Sequence, residues 1–333
     1  MFQRRCYTRC DSSCPPDEMD SNIPAVVKSR SRLSIARLAC GWSRQAWLAL
    51  ALLALAAPQG VEAAAAWVES VQVPAWVVRN GNRLPVKAGL PLEAGDILTT
   101  GPKARLLLRL AEGSLVKLGP NAELRLQALK PPSAPGGLFE GLLDVVKGAF
   151  RFTTTLLSKA HRRRLDVRIS NVTAGIRGTD VWGKAAPDKD IVCLIEGEIS
   201  VRRGDDDAIT MSDPLSFYVA PKGQPPLPVR PVDPDQLRRW ARETDIKERG
   251  PALSVDGAWT VYLESLSSRE AAARSRATLE GRGFPITIQT AQVGDKTFYR
   301  VALAGFRNWQ GAVAFKDGIA DALGFRTAWV AEQ

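Results

Sequence analysis

Histidine is almost missing from this chain: there is one, His161, in 333 residues. A histidine-based metal cluster is therefore excluded. A Ser-His-Asp or Cys-His site would have to rest on that single residue, which heads the basic run HRRR and reads as solvated. Of five cysteines, Cys6, Cys10, Cys14 and Cys40 lie in the first 40 residues and only Cys193 follows. The C-x3-C-x3-C spacing has no second ligand pair and no nearby histidine, so it makes a poor zinc site. Beyond residue 40 no internal disulfide can form, and Cys193, in the apolar run IVCLIEG, reads as a small buried residue. No apolar run reaches the roughly 20 residues that a membrane-spanning helix needs.

What is present is a basic balance, 45 Lys and Arg against 35 Asp and Glu, for a net charge of +10. Such an excess points either to an anionic partner or to solvated surface charge. The hydrophobic fraction of 45% suffices for a real core, and the length suits two modest domains with additional segments.

The longest apolar run, Ala46 to Ala57 (AWLALALLALAA), follows Arg30, Arg32, Arg37 and Arg44 with no intervening acid. Pro58, Gln59 and Gly60 break it, and Val61-Glu62-Ala63 supplies small residues beyond. Basic flank, short apolar core and small-residue exit make the tripartite form of a secretory signal. Residues 1–63 are therefore expected to be an N-terminal extension and signal peptide, with cleavage near Ala63 preferred over an uncleaved inner-membrane anchor. Export makes nucleic acid a poor candidate partner.

From Trp67 to about Val219, short apolar runs alternate with Gly, Asn, Asp or Pro turns at intervals of about ten residues, as in an all-β domain. Gly95, Gly113, Gly178 and Gly197 fall where the chain must reverse, and glycine enters positive φ freely. Asp96 and Asp180 read as turn formers. Asp180 and Glu196 form a conceivable carboxylate pair, but turn duty is the preferred reading because no nucleophile or cleft accompanies them. Arg177 is expected to take a structural place in its turn. Gln127 to Gly137 reads as a loop, and Lys159, Arg162, Arg163 and Arg164 as solvated loop charge. Pro221 to Pro234 is proline-dense and should be extended, with a short charged helix after it from Asp235 to Glu248.

The last 75 or so residues read as βαββαβ. Strands are expected at Trp259–Glu264, Pro285–Gln289, Thr297–Leu303 and Thr327–Val330, and helices at Arg269–Glu280 and Trp309–Leu323. Alternation turns Trp259, Val261 and Leu263 one way and Thr260, Tyr262 and Glu264 the other. In the third strand Tyr299, Val301 and Leu303 form the buried set. Ala272, Ala273, Arg276 and Leu279, then Ala312, Phe315, Ile319 and Leu323, recur at helical spacing. Two helices thus cover one face of a four-stranded sheet, leaving Tyr262, Ser265, Phe298 and Arg300 on the other. Rings and donors on a shallow sheet suit a sugar chain.

Two family resemblances follow from these residues. Gly95-Asp96-Ile97-Leu98-Thr99-Thr100-Gly101 with Glu112-Gly113-Ser114, and later VTAGIRGTDV (Val172–Val181) with DIVCLIEGEISV (Asp190–Val201), resemble the paired signatures of a FecR domain. That resemblance implies a β-rich, roll- or solenoid-like periplasmic domain, and a Trp-bearing helix after the proline-rich stretch that packs Trp240 back on it. The C-terminal segment resembles a SPOR domain, most closely in YRVALAGF (Tyr299–Phe306), less so in VYLESL (Val261–Leu266), where Glu264 brings a charge that the family lacks. The resemblance implies a small ferredoxin-like α+β fold that binds peptidoglycan glycan strands stripped of their peptides.

The expected architecture is therefore multidomain: 1–63 extension and signal peptide, 67–220 FecR-like all-β domain, 221–256 proline-rich linker with a short helix, and 257–333 SPOR-like domain. The expected function is a periplasmic, non-enzymatic envelope protein without cofactor or metal. It is tethered to peptidoglycan, for instance at division sites, through Tyr262, Ser265, Phe298 and Arg300, with the FecR-like domain making protein contacts. The alternative is a FecR-type transmembrane regulator of a sigma factor, which needs a cytosolic N-terminal domain and a retained span. A wall hydrolase is a third class, and it lacks a zinc-ligand set and a nucleophile in a polar site.

Overall fold

The computed structural model of the chain describes residues 64–131, 137–155, 162–320 and 322–333. The expected leader, Cys6 to Cys40, Lys159 and His161 lie outside them. Among the described residues the chain is β-rich, with a large, mostly antiparallel sheet system and few helices.

The first strands are β1 (Ala66–Gln72), β2 (Ala75–Arg79), β3 (Asn82–Pro85), β4 (Pro91–Leu92), β5 (Ile97–Thr100), β6 (Arg105–Leu110), β7 (Leu115–Leu118), β8 (Glu123–Lys130) and β9 (Phe139–Thr153). They continue as β10 (Arg163–Ile169), β11 (Val172–Ile176), β12 (Asp180–Ala185), β13 (Lys189–Glu196), β14 (Ile199–Arg203), β15 (Ile209–Met211), β16 (Ser216–Pro221) and β17 (Leu227–Pro231). One ladder runs β1-β6-β7-β9-β12-β13-β16-β17. The second runs β3-β2-β5-β8-β9-β10-β11-β14-β15, and within it β9 and β10 are parallel.

Period-two burial joins the two layers. In β6, Leu106, Leu108 and Leu110 point inward and the residues between them point out. Their partners across the core include Leu124, Leu126, Val167 and Val201, all in one apolar cluster. The long strand β9 serves both ladders, residues 139–147 in one and 148–153 in the other. It bends at Gly148, where φ is +85° and a Cβ would lie 2.6 Å from Ala122 Cα. Only glycine fits that crossing. The four glycines expected at reversals, Gly95, Gly113, Gly178 and Gly197, all have positive φ.

The acids expected in turns are held by arginine forks. Asp96 is buried and accepts from the Glu93 amide at 2.9 Å and from Arg79 Nε and Nη2 at 2.8 and 2.6 Å. Its hydrogen bond raises the Arg79 pKa. Asp180 accepts a bidentate pair from Arg151 at 2.8 and 2.6 Å. Arg177, expected within the turn, is instead exposed, and Arg163 occupies the interior, 3.7 Å from the fully buried Glu112. Alternation explains the exchange: Arg163 starts β10 beside the β6–β7 turn, whereas Arg177 follows the inward-facing Ile176.

The stretches expected as loop and linker are more ordered than their composition implies. β8 continues through Lys130, and the proline-rich stretch runs as β17 along β16. The helix α1 (Pro234–Thr244) is capped by Asp233, whose carboxylate accepts from the amides of Asp235 and Gln236. It lies on the outer side of the β9–β12–β13–β16 ladder. There Trp240 stacks on the buried Trp182 with centroids 4.6 Å apart, and Phe217 meets it edge-on at 5.6 Å. This is why β13 reads as a continuous apolar run: both its sides are covered.

Trp240→Ala removes that stacked ring and exposes the apolar patch under α1. The substitution should cost about 3 kcal/mol, measured as a lower urea midpoint with an unchanged slope.

Candidate functional site

The C-terminal segment contains β18 (Leu253–Ser254), β19 (Trp259–Leu266), α2 (Arg269–Gly281), β20 (Thr287–Val293), β21 (Lys296–Phe306), α3 (Trp309–Phe315) and β22 (Trp329–Glu332). The second helix is shorter than its periodicity implies. It ends at Phe315 and passes into a π-helical turn, Lys316–Ala320, that includes Gly318. Ser268 caps α2 and Asn308 caps α3, each accepting from the amide three residues on. The sheet order is β22-β19-β21-β20, antiparallel throughout.

Both helices lie on one side of this sheet. Ala272, Leu279, Ala312 and Phe315 bury themselves against Val261, Leu263, Val301 and Leu303. The opposite side gathers a small polar-aromatic group. Tyr262 stacks on Trp329 with centroids 4.8 Å apart and planes 12° apart, and its hydroxyl donates to Gln289 Oε1 at 2.7 Å. The Arg300 guanidinium sits 5.6 Å from the centroid of each ring. Arg300 Nε is buried and has no hydrogen-bond partner among the described residues. A buried donor without an acceptor is costly unless something else supplies one.

Of the four residues expected on this side, Tyr262 and Arg300 are in contact. Ser265 is exposed and directly opposite Arg300 in the ladder. Phe298 lies two residues along from Arg300, half-buried opposite Ala291. Tyr262 retains only 9% of its surface, so it supports Trp329 and has little free ring of its own. Strict alternation put Glu264 on this side, and the structure reverses that. A bulge between Tyr262 and Glu264 sets two residues of β19 against one of β21. Glu264 is thereby turned to the helix side, where it accepts a hydrogen bond from Ser275 of α2. Ser265, expected on the open side, is there, and the bulge is what lets it share that side with Tyr262. Trp329 and Gln289 were not singled out from sequence; the cross-strand pairs Tyr262–Trp329 and Arg300–Gln289 identify them once the register is known.

The β-rich module also sets guanidinium groups on rings, Arg83 4.0 Å from Trp76 and Arg230 4.9 Å from Phe217. Among the described residues no cluster of His, Cys, Asp or Glu has the form of a metal site. Asp180 and Glu196 do face each other across β12 and β13, but both Asp180 oxygens are held by Arg151. Desolvation pushes the Cys193 thiol up to about 12, the wrong direction for a nucleophile.

Residues 255–332 match the family model described as SPOR domain, and residues 96–200 match that described as FecR protein. No curated protein matches the chain. Among solved structures the chain is similar to two crystal structures from Parabacteroides distasonis ATCC 8503, both provisionally described as an anti-sigma factor. One is 12% identical, covering 61% of this chain and 98% of that one with a TM-score of 0.36. The other is 13% identical, covering 68% and 91% with a TM-score of 0.37.

Cys193 should resist alkylation at pH 8 in the folded protein and react only in denaturant, read by mass spectrometry of the peptide that carries it.

Proposed function

From a chain that joins a FecR domain to a SPOR domain, we propose an exported envelope protein, not an enzyme, that binds peptidoglycan. Its ligand is the glycan strand stripped of peptides, held on the open side of the C-terminal sheet, while the β-rich module contacts another envelope protein. Neither matched family is an enzyme family. The observation that carries the reading is the Arg300 Nε donor, buried without a partner among the described residues beside the Tyr262–Trp329 stack. Sugars present apolar C–H faces to rings and hydroxyl or acyl oxygens to donors. Trp329 offers the ring, Arg300 and Gln289 the in-plane donors, and Ser265 a hydroxyl at the rim, with Phe298 extending the strip. Glu264, turned away beneath α2, puts no charge in the path of the glycan.

The periplasm is the proposed location, reached through the signal-like segment before Ala64. No helix of the described residues is long and apolar enough to cross a membrane. The FecR match also fits a second reading, a relay from the outer membrane to a sigma factor. N-terminal sequencing of the protein from cells separates the two. A start near Ala64 is expected, and retention of Ala46–Ala57 with its basic flank would favour the relay.

The full chain should co-sediment with peptide-free sacculi. Arg300→Ala and Trp329→Ala should each weaken binding about tenfold or more, and Glu264→Gln should leave it unchanged. Absence of co-sedimentation by the unsubstituted protein would overturn the proposal.

A further inference from the structure

A cleft of about 810 Å³ opens where the C-terminal sheet meets the β-rich module. Thr287, Ala304 and Gln333, at the lower end of the open side, line it together with Lys87, Ala88 and Val255. Lys87 lies in the β3–β4 connection, is exposed, and makes no ion pair among the described residues. Arg276 also reaches the cleft, but it is paired with Glu280 at 2.8 Å. The cleft therefore presents one uncompensated cation. It also presents bare apolar surface, with Leu84 at 53% and Val255 at 63% exposure.

The cleft meets the candidate glycan face at Thr287 and Ala304 and reaches round the β20 edge to Arg276, Glu280 and Ile288 on the helix side. Arg300, Ala302 and Ala304 are alternate residues of β21, so they point to one side in steps of about 7 Å. About 14 Å of strand thus separates Arg300 from the cleft rim. Between them lies Ala302, flanked in its two ladders by Tyr262 and Thr287, while Thr260, opposite Ala304, is buried and accepts from the Gln333 side-chain amide at 2.6 Å. A chain laid along β21 from the Trp329 ring meets no bulky side chain of that strand before it reaches Lys87. The walls are held together rather than hinged: β18 pairs with β1 on one side and β21 on the other.

We propose that this cleft is a second subsite of the glycan site, in which the Lys87 ammonium holds a carboxylate of the strand. Muramic acid keeps a lactyl carboxylate when its peptide is removed, so a peptide-free strand carries anions at regular intervals. The subsite rests on the reading of the open side as the glycan face, and it assigns the β-rich module a direct share in binding.

The test uses the full chain with Lys87→Ala and Lys87→Glu on peptide-free sacculi, and on the same sacculi after amidation of their carboxylates. At about 0.01 M ionic strength the alanine variant should bind about threefold more weakly and the glutamate variant about tenfold, with both differences fading near 1 M. On amidated sacculi all three proteins should bind alike. Equal binding of Lys87→Glu and the unsubstituted chain, while Arg300→Ala loses binding, removes the subsite and leaves the glycan face standing. A Lys87 effect that survives amidation also overturns it. Failure of the unsubstituted chain to bind removes both.

Discussion

Two residues, Leu253 and Ser254, hold the functional geometry of this molecule together. As β18 they pair with Val71 and Ser70 of β1, and Leu253 also pairs with Phe306 of β21. Ser70 donates its hydroxyl to the Leu253 carbonyl at 2.8 Å, and Leu253 and Phe306 are both buried. Each such bond contributes about 1 kcal/mol net, but an unpaired buried strand would cost more than that, so the ladder is obligatory once these residues are inside. The chain then passes so near itself that a Cβ on Gly257 would lie 2.0 Å from the Gly305 carbonyl oxygen. A second seam lies on the helix side, where the Ala75 amide donates to Gly283 O at 3.2 Å and Trp76 Nε1 to Gly281 O at 3.2 Å. Contact on the helix side and at one end leaves the polar-aromatic side of the sheet facing away from these seams.

The basic composition takes its meaning from where the cations are used. In the β-rich module several arginines are occupied: Arg79 by Asp96, Arg151 by Asp180, Arg163 with Glu112. The Glu112–Arg163 pair is buried, and breaking it would leave a desolvated charge, which is why it specifies the turn more than it adds net stability. Desolvation lowers the Arg163 pKa while Glu112 opposes that. Arg300 and Lys87 are different. One is packed against two rings with a donor left over, and the other is exposed at the edge of a cleft without an ion-pair partner among the described residues. The net charge therefore says little by itself; two cations placed along one strand direction say more.

Much of the fold was legible, the reversals and alternation from local rules and the place of Trp240 from the FecR resemblance. Glycines predicted to reverse the chain have positive φ, the strand alternation of the β-rich module is in place, and Trp240 packs back on it. The proline-rich stretch was not legible as a strand, because Leu227–Pro231 is an edge whose prolines lose no ladder bond that the partner needs. The bulge in β19 was invisible for a different reason. A run such as VYLESL alternates equally well with or without an extra residue, and only pairing with β21 reveals the slip. Glu264 changed sides on that account, and Trp329 entered the site through register alone.

The sequence by itself determined the two modules, the reversals and the presence of rings and a guanidinium on the third strand of the C-terminal unit. These are set within a few residues by φ preferences and period-two burial. Tertiary structure alone decided which side Glu264 occupies, that Tyr262 supports Trp329, and that Lys87 shares a cleft with Ala304 although 217 positions separate them, the difference between 304 and 87. Those outcomes depend on strand register and on a ladder between distant segments, and pairing energy of that kind exists only after the chain has closed on itself.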